Sequence, residues 1–69
     1  MLVNLTETQT RTTVLALLDS ARSSRSAGYP HTAIDYCEIA WIHALTLVDD
    51  REFWLEAVNE VQGTIEVAA

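Results

Sequence analysis

Between Ala33 and Val48 the chain reads AIDYCEIAWIHALTLV, a helix-length run with almost no polar side. At about 100° per residue its apolar groups fall all around the axis, and only Asp35, Glu38 and Thr46 mark a wet strip. A helix of that kind must be covered from two or more directions. In a chain of 69 residues one cover can come from a helix before it and another from a helix after it. A second copy of the chain is expected to supply what is left.

The size sharpens that expectation. A single domain this small is close to the limit at which one core suffices. The one cysteine cannot form an internal disulfide, and no Cys and His residues cluster at zinc spacing, so no metal and no cofactor is expected. Hydrophobic residues make up 49% of the chain, which points to dense helix packing joined to homo-oligomerisation.

Three helices fit the pattern, at about residues 5–26, 31–48 and 50–67, within one domain covering 1–69. The first opens on Asn4-Leu5-Thr6-Glu7, a capping-box pattern, with a second possible box from Thr6 to Gln9. Its apolar face is Val14, Leu15, Leu17, Leu18 and Ala21. Gly28 and Pro30 then mark a reversal into the second helix. Asp49 and Glu52 predict another capping box, opening a third helix with the stripe Phe53, Trp54, Ala57, Val58, Val61 and Ile65. No strand-like alternation occurs. The expected fold is all-α: an antiparallel helical hairpin plus a third helix, a three-helix bundle completed by self-association.

Two stripes of the central helix differ in kind. Ala33, Cys37, Ala40 and Ala44 form a row of small side chains, suited to the first helix or to the same helix of another copy. Ile34, Trp41, Leu45 and Val48 form a bulky row suited to the third helix. Ile39 and Ile42 are left without an intrachain partner. The residues expected at an interface are therefore Ala33, Cys37, Ile39, Ala40, Ile42 and Ala44.

Ten acids against four arginines give a formal charge of −6. That balance argues against direct nucleic-acid binding and against an anionic membrane, and it suits a basic protein partner. Glu52, Glu56, Glu60 and Glu66 are the acidic surface such a partner would meet. The longest apolar stretch, Ile39 to Val48, is far short of a membrane span. The opening MLVNL has no basic region before an apolar run, so no secretory signal is expected and the cytoplasm is the expected compartment.

Arg11, Arg22 and Arg25 fall within ~60° of one another on a helical wheel, in line with Val14 and Leu18. In an antiparallel hairpin Arg22 and Arg25 would meet acids such as Asp35, while Arg11 would reach Asp49 or Asp50. The alternative is that arginines from several copies, with Trp41, grip a small anionic ligand. His31, Asp35 and Glu38 share a helix face but find no matching ligands elsewhere. Cys37 lacks a base and an oxyanion site, and there is neither a glycine-rich phosphate loop nor a nucleophile elbow. No enzymatic activity is expected.

Two resemblances follow from these residues. Gly28 through Ala40, GYPHTAIDYCEIA, resembles the turn and second helix of a tetratricopeptide repeat, with Gly28, Ala33, Tyr36 and Ala40 at that motif's relative positions. No second repeat follows, so the likeness implies a shared way of packing helices. Arg22, Pro30, Glu38, Ala40, Trp41, Ala44 and Leu45 also resemble the layout of small phage anti-CBASS and anti-Thoeris hairpin proteins, which sequester cyclic-nucleotide immune signals. That second likeness covers at most the first two-thirds of the chain. It implies an oligomer holding ligand phosphates against Arg11, Arg22 or Arg25 at subunit junctions. The leading expectation is a non-catalytic, self-associating interaction protein of the phage or mobile-element inhibitor type, its acidic surface binding a protein partner. The alternative expectation is an oligomeric sponge for a small anionic ligand such as a cyclic nucleotide.

Overall fold

A computed structural model describes residues 6–66, which form α1 (Glu7–Ser26), α2 (Pro30–Ala44) and α3 (Arg51–Gly63). The fold is an all-α three-helix bundle. Helix α2 is its shared member: it packs most extensively on α1 and next on α3, while α1 and α3 touch least. The molecule is accordingly thin, 37 × 26 × 17 Å, and the side of α2 that carries Ile39 and Ile42 is exposed.

Each helix boundary has a local cause. At the start of α1 the Gln9 N–H donates to the Thr6 hydroxyl (3.1 Å) and the Thr6 N–H donates to Gln9 Oε1 (2.9 Å), so the box is Thr6–Gln9. Asn4 lies outside the described residues. At the other end the Tyr29 N–H reaches the Ser24 carbonyl (2.8 Å) and the Gly28 N–H reaches that of Arg25 (3.1 Å). This paired closure needs a left-handed residue, and Gly28 supplies it at φ +89°. Pro30 then opens α2, where its missing N–H costs nothing.

Helix α2 stops at Ala44 rather than near Val48. The Thr46 hydroxyl donates to the His43 carbonyl (2.7 Å), and the Thr46 and Leu47 N–H groups bond three residues back. That tightened turn ends the helix and delivers Leu47 into the core, where it is 1% exposed. The expected box from Asp49 to Glu52 does not form. Asp50 is the capping residue of α3, without a side-chain cap, because its carboxylate is engaged sideways by Arg11 and Trp54. At the far end Thr64 caps Val61 (2.6 Å), so α3 closes at Gly63, and Ile65 folds back half-buried on the core.

The core follows the small-residue row. Ala33, Cys37, Ala40 and Ala44 are all fully buried, packed in one cluster with Val14, Leu18 and Ala21 of α1 and Val58 and Val61 of α3. Small side chains let the α1 and α2 backbones approach closely, which is why this row faces inward although bulkier residues lie beside it. The bulky row is only partly used: Ile34 and Trp41 are half-buried, whereas Leu45 and Val48 are 46% and 70% exposed. Leu15 and Phe53 also lie open, off the buried faces to which the sequence pattern assigned them. Phe53 stacks edge-on against Trp54, with centroids 5.3 Å apart.

Candidate association surface

Arg11 sits one turn into α1, facing the corner between α2 and α3. Its Nε donates to Asp50 Oδ2 (2.6 Å) and its Nη2 to Oδ1 (3.1 Å), a two-pronged grip across 39 residues of sequence. The same Nη2 reaches Glu7 Oε2 (3.3 Å), and the other Glu7 oxygen accepts the Val48 N–H (3.3 Å). Trp54 Nε1 donates to Asp50 Oδ2 at 2.8 Å. Hydrogen bonds from Arg11 first and Trp54 second hold the Asp50 carboxyl at about 2, down from 3.8.

That shift carries a pH dependence. Because the folded value is depressed, the unfolded chain takes up its proton first as pH falls. The stability from this carboxylate is therefore fully present above 3.8 and is lost as pH falls toward about 2. Asp50→Asn is expected to lower the melting temperature near neutrality, with a gap from the parent that narrows over that window. A gap unchanged from pH 7 to pH 2 would show that the charge is not what matters.

The other arginines lie elsewhere. Arg22 pairs with Asp19 on its own helix (3.1 Å), and Arg25 donates to the Thr64 carbonyl (3.4 Å). Neither bonds Asp35: Arg22 is held by Asp19, and both arginines border α3 instead. Together with Glu60, Val61 and Thr64 they line a hollow of about 240 Å³ between α1 and α3. Arg11 takes no part in it, and Trp41 belongs to a different hollow, so these four residues do not converge within one chain.

That second hollow, of about 350 Å³, lies between α2 and α3 and is lined by Glu38, Trp41, Ile42, Asn59 and Gln62. Asn59 lies outside the apolar stripe of the third helix, so its sequence pattern gives it no role. Only the pairing of α2 with α3, which no single-helix pattern contains, puts it opposite Trp41. Beside the hollow, Ile39, Ile42 and Leu45 follow one another at steps of three and are 44%, 64% and 46% exposed. They form a continuous apolar row on the uncovered side of α2. Of the residues expected at an interface, Ala33, Cys37, Ala40 and Ala44 are closed off under the chain's own helices. Ile39 and Ile42 alone among them stay exposed.

Glu52, Glu56, Glu60 and Glu66 are all exposed. Cys37 is fully buried, and burial pushes its thiol pKa up against the opposing charge of Arg22, so it stays protonated and packs as a small apolar group. Among the described residues no three His, Cys, Asp or Glu side chains gather as a metal site, and no helix is long and apolar enough to cross a membrane. No protein-family model, curated protein or solved structure matches the chain.

Proposed function

We propose that the chain acts by association and not by catalysis, as a small self-associating module whose acidic α3 surface holds and blocks a basic protein partner. The observation that carries this reading is the exposed row Ile39, Ile42 and Leu45. An apolar row kept in the open on the side of a helix left without a neighbour is a surface for another molecule. The glutamates on α3 and Glu66 just beyond it add orientation and partner choice more than raw affinity. An inhibitor of the type encoded by phages and mobile elements is the biological form this takes.

Two measurements test it. Light scattering across a concentration series should give a mass above that of the monomer. Capture at low salt should retain a basic partner that is released as salt rises and lost when Glu52, Glu56, Glu60 and Glu66 are changed together to glutamine. A monomer at every concentration that also retains no partner would defeat the reading.

The hollow beside Arg22 and Arg25 supports a second reading, an oligomer that sequesters a small anionic ligand such as a cyclic nucleotide. On that reading nucleotides raise the melting temperature of the parent, and Arg22→Ala or Arg25→Ala abolishes the rise while leaving the helices intact. Arg11→Ala would act on the fold instead, through Asp50.

A further inference from the structure

The self-association proposed above has a specific geometry open to it, one that rests on that reading. Arg51 is exposed at the first position of α3 and makes no hydrogen bond or ion pair among the described residues; the other three arginines all do. A cation there opposes the helix dipole, so α3 gains nothing from it. It follows Val48, which is 70% exposed, along the corner between α2 and α3. Arg51, Asn59 and Gln62 share one strip of α3, within about 80° of arc. That strip borders the hollow of Glu38, Trp41 and Ile42. One face of the molecule thus carries an open cation at one end and, about 12 Å along the helix axis, a cleft at the other. The cleft offers the Glu38 carboxylate, without a partner among the described residues, beside the Trp41 indole, and Ile42 and Leu45 provide the apolar surface of the same side.

A face with opposite, complementary ends and an apolar middle is self-complementary under a two-fold rotation. We infer that two copies pair through this α2–α3 face, each placing its Arg51 in the other's cleft between Glu38 and Trp41. Guanidinium suits both partners, since it bonds a carboxylate and stacks on an aromatic face at once. Each copy carries −6, so an apolar seam alone would draw like charges together. The two symmetric Arg51–Glu38 contacts would set opposite charges together where they fix the register.

The test is a charge swap read by light scattering and sedimentation. Glu38→Arg and Arg51→Glu lie on exposed positions, and circular dichroism should show both folded. Each alone should weaken the parent dimer by about tenfold or more, since it sets like charges together at both contacts. Mixed in equal amounts the two variants should form a heterodimer, because every contact in it again joins a cation to a carboxylate. Glu56→Arg mixed with Arg51→Glu brings the same net charges together away from the cleft and should not. A dimeric parent whose single variants dimerise unchanged, or whose mixed variants stay monomeric, overturns this pairing and leaves self-association standing. A parent that is monomeric throughout overturns both.

Discussion

Leu47→Ala is expected to cost about 2–5 kcal/mol, comparable with the roughly 3–5 kcal/mol that a core of this size supplies. Leu47 sits in the connection after α2, a position where a leucine is normally an inexpensive residue to lose. Here it is 1% exposed and among the largest fully enclosed side chains of the molecule. Truncating it removes its transfer free energy and leaves a cavity that a tight turn cannot close. The neighbours give the contrast. Leu45→Ala and Val48→Ala remove exposed surface and should change monomer stability by no more than about 0.5 kcal/mol. Urea unfolding of the three variants, at concentrations where the parent is monomeric, checks this. Equal effects at all three positions would mean the turn does not hold Leu47 inside.

Ala40→Leu should destabilise by about 1–3 kcal/mol, or prevent folding outright, for the opposite reason. Ala40 is fully buried in the row that sets the distance between α1 and α2. Leucine is the better-packing residue in most cores and a good helix former, so propensity predicts no loss. The cost comes entirely from three added heavy atoms with no space to enter. Ile42→Leu, one turn edge away and 64% exposed, should be nearly silent in the monomer. If Ala40→Leu raised stability instead, the seam between α1 and α2 would be looser than its fully buried alanines imply.

These two positions also show what sequence could and could not reveal. The small-residue row was legible because a step of four, three and four is a helix face, and its burial needs only one neighbouring helix. The Arg11–Asp50 contact was legible too, since an antiparallel hairpin brings the start of α1 to the end of α2. The end of α2 was not. An apolar run to Val48 continues a helical pattern, and the stop is made by a Thr46 hydroxyl bond that competes with the helix only at close range. The same limit hid the opening of α3. Asp49 and Glu52 have capping-box spacing, but the neighbouring carboxylate, Asp50, is held by an arginine 39 residues away. The cleft lined by Trp41 and Asn59 was beyond reach for a related reason: it belongs to neither helix, only to their pairing.

The hold of Arg11 on Asp50 bears on the order in which the molecule comes apart. The α1–α2 hairpin is the best-packed pair and its connection is short, so it can form from local contacts alone. Helix α3 is held more lightly, and the ionic grip of Arg11 on Asp50, at its N-cap, ties it to α1 across 39 residues of sequence. Acid loosens that tie without touching the alanine seam. The chain is thus built as a hairpin with a latched flap. Acid is therefore expected to free α3 before the hairpin: hydrogen exchange at Val58 and Val61, covered in the closed form, should quicken below pH 3.8 ahead of exchange at Ala40, and a simultaneous rise at all three would show that the flap and hairpin open together.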